Sequence, residues 1–162
     1  MAVVTRQQGP ADMRDGATRS DAPGTPLAGS ARVVAITRAH MEAHVADYIA
    51  VSADVSPWTA QQFLRDLPGK WDLSFALWSD RPIGYCILSW RNGRIHINQF
   101  MVAPSARGCG CGAVMLGEAV ARGARSLKVH PDNTGAIRFY RRHGWTEAGR
   151  ENGYLLMTFG NG

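Results

Sequence analysis

The run from His96 to Gly112, HINQFMVAPSARGCGCG, constrains this chain more than any other stretch. It reads as a strand, then a short loop dense in glycine. The helix-like AVMLGEAVARGA follows at once. Arg107, Gly110 and Gly112 stand at Arg-x-x-Gly-x-Gly spacing. Glycines leave out side chains, so backbone N–H groups can crowd around an anion. The first turn of the following helix adds unpaired N–H groups and the positive end of the helix dipole. A phosphate or pyrophosphate suits such a corner.

The chain has 162 residues, long enough for one domain with a real core and too short for two ordinary ones. No apolar run approaches the ~20 residues of a membrane span. The first residues lack a hydrophobic signal core. Three cysteines give no disulfide framework. The expectation is a cytoplasmic protein with no membrane partner. Formal net charge is +5, which favours an anionic partner. Residues 1–30 are rich in Gly, Pro, Ala and Thr and read as a disordered tail, with the folded domain over 31–162. Arg6, Arg14 and Arg19 cancel Asp12, Asp15 and Asp21 there, so the excess charge belongs to the domain. Arg107, Lys128, Arg138, Arg141 and Arg142 gather near the glycine loop, where a polyanionic cofactor would account for them. With no unbroken basic block and no nucleic-acid motif, nucleic acid is not the expected partner.

In chain order, Arg32–Thr37 is a β-branched run and the first strand. Thr37 caps a helix in which Met41, Val45, Tyr48 and Ile49 share one face. His40 and His44 lie on another face. Their His-x-Glu-x-His spacing differs from the His-Glu-x-x-His of zinc peptidases, and no third ligand is evident, so no metal is expected. Ser56-Pro57-Trp58 reads as the start of a second helix, stopped by Pro68-Gly69. Trp71–Ser79 alternates like a strand. Ile83–Arg91 and Arg94–Val102 flank Asn92-Gly93, a strong hairpin signal. A strand at Ser126–His130, a helix at about Thr134–His143, and strands at Trp145–Ala148 and Gly153–Phe159 complete the order.

Two motifs resemble the GNAT superfamily of acyl-CoA-dependent N-acetyltransferases. The first is Val102-x-Pro104-x-x-Arg107-Gly108-x-Gly110-x-Gly112. The second is Leu127-Lys-Val129 followed by Asn133-x-x-Ala136-x-x-Phe139-Tyr140-x-x-x-Gly144-Trp145, with Trp145 in place of the family's usual Phe. The resemblance covers about Arg32 to Phe159. Gly108-x-Gly110-x-x-Ala113 with Asp132 also fits a dinucleotide fingerprint. Against it, Pro104–Arg107 separates the glycines from their strand, and an antiparallel meander precedes them.

The resemblance implies an α/β (α+β) fold. Its mixed sheet has about six to seven strands splayed between the fourth and fifth, with about four helices. It implies acetyl-CoA as co-substrate, an amine acceptor, and a monomer or homodimer. Backbone amides of Arg107, Gly108, Cys109, Gly110, Cys111, Gly112 and Ala113 would hold the pyrophosphate, with the Arg107 side chain keeping the loop's shape. Backbone at Phe100, Met101 and Val102 would pair with the pantetheine arm and polarise the thioester carbonyl. Asn133, Ala136 and Phe139 would line the cofactor, and Tyr140 would protonate the leaving thiolate. In several relatives a base stands six positions before Val102, which here is His96; water relayed by backbone carbonyls is the alternative. A histidine with a pKa near ~6.5 suits that work. Asn98, Tyr48 and Trp58 are candidate acceptor contacts. The amine is that of a small molecule or of a protein N-terminus, and Pro57–Phe63 looks like the N-terminal-amine subgroup. The competing function is a non-catalytic acyl-CoA-binding module. Cys109-x-Cys111 looks like half a metal site without a partner pair, and Cys86 reads as core.

Overall fold

The computed structural model describes residues 31–55 and 57–160. The expected tail over 1–30 and the expected capping residue Ser56 lie outside the described residues. The elements are β1 (Arg32–Ala35), α1 (Arg38–Val51), α2 (Ala60–Leu64), α3 (Lys70–Leu73), β2 (Phe75–Trp78), β3 (Pro82–Arg91) and β4 (Arg94–Val102). A 3-10 turn at Pro104–Ala106 leads into α4 (Cys111–Ala121), β5 (Ala124–Val129), α5 (Thr134–Arg142), β6 (Trp145–Glu151) and β7 (Tyr154–Phe159). One seven-stranded sheet has the order β1-β2-β3-β4-β5-β7-β6. Its one parallel pair among the described residues is β4/β5, joined by α4; all other neighbours are antiparallel. This is a mixed sheet of seven strands where the resemblance implies about six to seven, with five helices among the described residues where about four are expected.

Local chemistry sets most boundaries. Thr37 Oγ1 accepts from the His40 N–H and opens α1. Asn92 and Gly93, at φ 49° and 73°, make the tight turn between β3 and β4. The second helix starts later than Pro57 suggests: Thr59 is its cap. Thr59 Oγ1 accepts from the Gln62 N–H, and Gln62 Oε1 accepts from the Thr59 N–H.

The alternating run Trp71–Ser79 is not one strand. Its first part turns into α3, and β2 begins only at Phe75. The cause is tertiary. Lys70 is buried under the end of α2, where its Nζ donates to the carbonyls of Phe63 and Arg65 at 2.5 and 2.7 Å. Those carbonyls are orphans of the α2 terminus, and capping them outweighs local alternation.

The sheet is packed on both faces. Leu88, Ile97, Leu127 and Met157 meet Met115 and Leu116 of α4 and Ile137 and Tyr140 of α5. On the other face Tyr85, Ile87 and Met101 meet Met41 and Tyr48 of α1 and Phe63 of α2.

Strand β4 serves both cores through one irregularity. Leu88 pairs with Ile97, but Ile87 pairs with Gln99, so Asn98 is an extra residue in the ladder. Before it, Ile95 and Ile97 face α4 and α5; after it, Phe100 and Val102 do. The same bulge puts His96 ahead of it, and Gln99 and Met101 behind it, on the α1/α2 side. Pairing of β4 with β5 runs through Ile95↔Ala124, His96↔Ser126 and Ile97↔Leu127, then stops. From Asn98 to Val102 the β5 side of β4 carries no strand, which is the splay the resemblance implies.

Candidate active site

The glycine loop closes one side of this wedge. Gly108 and Gly110 adopt φ 76° and 87°, a region costly for residues with a Cβ. Gly110 is the cap of α4 and offers no side chain to its first turn. The earliest intrahelical bond there is from the Val114 N–H to the Gly110 carbonyl. The N–H groups of Cys111, Gly112 and Ala113 therefore lack intrahelical acceptors and point outward at the helix N-terminus. Arg107 braces the loop. Its Nε donates to the Val102 carbonyl at 3.0 Å, and its guanidinium grips Asp54 at 2.6 and 3.2 Å. Cys109 and Cys111 hold their sulfurs 3.1 Å apart at the loop's tip, and Cys86 is fully buried in the core. Among the described residues, no group of three His, Cys, Asp or Glu could hold a metal ion.

Aromatic rings line the α5 side. Phe139 sits against Gly112, and Phe100 lies 6.1 Å from Phe139 and 6.3 Å from Tyr140 between ring centres. Tyr140 is buried, and burial raises its phenol pKa well above the ordinary value, so it stays protonated. Asn133 caps α5, its Oδ1 accepting from the buried Ala136 N–H at 3.1 Å. That bond fixes the turn from which Phe139 and Tyr140 are presented.

On the opposite face, His96 is 1% exposed. Its Nδ1 lies 2.9 Å from Ser126 Oγ, and its Nε2 has no partner. Burial, aided by the nearby positive charges of Arg91 and Lys128, pushes its pKa down to about 4. This corrects the value near ~6.5 expected of an ordinary strand histidine. The Asn98 amide donates to Ser89 Oγ at 2.8 Å and to the His96 carbonyl at 3.3 Å, tying the bulge to the rung below it.

A cavity of about 240 Å³ opens beside His96, walled by Arg91, Arg94, Ser126, Lys128 and Glu151. Lys128 Nζ and Arg91 Nη2 converge on the same Glu151 oxygen at 2.5 and 2.6 Å. Those contacts, the Lys128 hydrogen bond first, hold the Glu151 carboxyl below the usual carboxylate range. A wider depression of about 820 Å³ runs along Gln61–Asp66, but none of its lining residues is an orphaned buried group.

Tyr48 and Trp58 do not reach this cavity. Both are packed in the α1/α2 core, and the Tyr48 hydroxyl is spent on His40 Nε2 at 2.9 Å. The sequence reading missed Ser126, which only the parallel register brings opposite His96. It also missed Gln99, fully buried on the α1/α2 face with both amide atoms unpartnered. A glutamine inside the apolar run of β4 was the available signal.

The fold is similar to that of solved acetyltransferases. The ribosomal-protein-S18-alanine N-acetyltransferase from Escherichia coli superposes with a TM-score of 0.64 at 20% identity, over 80% of this chain and 93% of that one. The GNAT domain of S. lividans PAT gives 0.62 at 20% identity, over 81% and 90%. In sequence, the peptidyl-lysine N-acetyltransferase YjaB of Escherichia coli (strain K12) is 31% identical over 72 residues, 44% of this chain. The match spans 46% of that relative's length. The profile of the Acetyltransferase (GNAT) family matches residues 35–145, and the chain belongs to that family.

Proposed function

We propose that this protein transfers an acetyl group from acetyl-CoA to a primary amine of a small molecule or of a protein N-terminus, by direct attack within a ternary complex. The observation that carries the reading is the open β5 side of β4 at Asn98–Val102, together with the α4 N-terminal amides of Cys111–Ala113, which have no intrahelical acceptor. An extended amide-bearing chain fits the first, and a pyrophosphate fits the second. The main-chain amides of Arg107 to Ala113 bind the diphosphate, with Arg107 positioned by Asp54. Phe100, Met101 and Val102 supply backbone groups to the pantetheine arm and the thioester carbonyl. Asn133, Ala136 and Phe139 form the wall beside it.

His96 and Tyr140 flank the point where β4 and β5 separate, one from each face of the sheet. His96 is neutral at working pH, and in the tautomer whose Nδ1–H donates to Ser126 Oγ its Nε2 accepts a hydrogen bond from the incoming amine. A free alkyl ammonium, with a pKa near ~10, is too weak an acid to protonate it. The acceptor therefore reacts as the free amine: its lone pair forms the N–C bond, and the cationic nitrogen so made passes its proton to His96 Nε2. The C–S bond breaks, and Tyr140 donates its phenolic proton to the departing sulfur. Gln99 uses its unpaired amide to hold the acceptor or the acetyl oxygen, and Asn98 keeps the bulge in shape.

The test is turnover of acetyl-CoA with a thiol-detecting reagent across an amine panel, with the product checked by intact mass. Thiol release matched by an acetylated product supports the reading. Acetyl-CoA binding with no transfer to any amine or peptide would instead identify a non-catalytic acyl-CoA-binding module.

A further inference from the structure

The cavity beside His96 is unusual in its charge. Arg91, Arg94 and Lys128 face a single carboxylate, Glu151. Two of the three cations are already committed to one oxygen of that carboxylate. Arg94 has no acidic partner among the described residues, and it stands at the cavity's outer end where β4 leaves the hairpin. At the inner end is the orphaned Nε2 of His96, almost wholly removed from water. A buried acceptor without a donor is costly unless a ligand supplies one. With His96 Nδ1–H donating to Ser126 Oγ, that Nε2 is a hydrogen-bond acceptor, and the cavity carries surplus positive charge at its mouth.

Size narrows the occupant further. The cavity measures about 240 Å³. That admits a molecule of amino-acid dimensions. A bare polyamine is disfavoured, because each further ammonium would face the arginines rather than a carboxylate.

We propose that the acceptor is a small amine that also carries an acidic group. Its nitrogen lies against His96 Nε2, and its carboxylate or phosphate lies against Arg94 and Arg91. This rests on the acetyl-transfer reading above and names the substrate class for it. Glu151 holds Lys128 and Arg91 in place and offers its second oxygen to the amine's remaining N–H. Acetylation consumes the amine's basicity, so the product is a net anion, which the same cations retain until the thiol has left.

Matched acceptor pairs test this directly. Each pair shares one amine, with and without its acid: amino acids against their primary amides, and amino-alcohol phosphates against the parent amino alcohols. Polyamines and short peptides complete the panel. Coupled thiol release and product mass give kcat/KM for each member. The acid-bearing member of at least one pair should lead its neutral partner by roughly tenfold or more, and Arg94→Glu should collapse that ratio. The carboxylate and phosphate arms tell the two acids apart. A neutral amide, polyamine or peptide that outruns every acid-bearing amine would overturn the inference and leave acetyl transfer standing. Absence of transfer to every member would overturn both.

Discussion

His96 and Ser126 join across the parallel pair, Nδ1 to Oγ at 2.9 Å, one rung below the point where β4 and β5 part. The contact holds the imidazole from one side and leaves its buried Nε2 without a partner, in a residue that lines the cavity. Burial, with the nearby charges of Arg91 and Lys128, makes His96 a neutral group rather than a solvent-titrating one. The site's pH behaviour follows from that.

The folded pKa of His96 is about 4, against an unperturbed value of 6.5. The unfolded chain thus binds more protons than the folded one between those values. Stability is fully present above about pH 6.5 and is lost as pH falls toward 4, by on the order of 3 kcal/mol in all. His96→Gln should flatten this decline in a urea-unfolding series from pH 7 to 4. An unchanged slope would mean that the imidazole is not held neutral.

Tyr140→Phe removes a proton donor without removing the ring that packs on Phe100 and Phe139. Turnover should fall roughly 10–100-fold, with the KM for acetyl-CoA nearly unchanged. Full turnover at saturating substrates would take Tyr140 out of the chemistry.

Gln99→Met should separate stability from function. The wild-type amide is buried with neither atom paired, and its replacement by an apolar chain of similar size removes that penalty. The variant should unfold about 1–2 kcal/mol later while losing acetyl transfer. A gain in stability with unchanged kcat/KM would show that Gln99 does not touch the reactants.

Gly84 marks how tightly β3 is packed under α4. A Cβ there would come within 2.5 Å of Met115 Sδ and 2.9 Å of the Met101 carbonyl. The sulfur can move but the carbonyl cannot without disturbing β4. Gly84→Ala should cost about 1–3 kcal/mol and weaken acetyl-CoA binding, because Met101 is part of the open strand segment. Denaturant unfolding and a cofactor titration measure the two effects.

Much of this was legible in the sequence because it was written locally. Asn92-Gly93 announced its turn, Thr37 its helix, and Gly110 its open helix N-terminus. Long-range effects were not legible. Nothing local says that Lys70 will cap the end of α2 and break the alternating run after it. Nor does period two anticipate a bulge at Asn98, which redirects every side chain beyond it. The ordinary pKa assigned to His96 failed for the same reason. Its value depends first on burial and then on Arg91 and Lys128, all set by tertiary packing. Tyr48 and Trp58 looked like groove residues because aromatic faces of helices read alike whether they meet core or ligand.

The central claim is that acetyl-CoA lies in the wedge between β4 and β5 with its diphosphate on the glycine loop. Amide hydrogen exchange followed by mass spectrometry, with and without saturating acetyl-CoA, tests it most directly. Slowed exchange concentrated in Asn98–Val102 and Gly108–Ala113 is the expected result. Exchange unchanged in both segments, with acetyl-CoA present at any concentration, would contradict it.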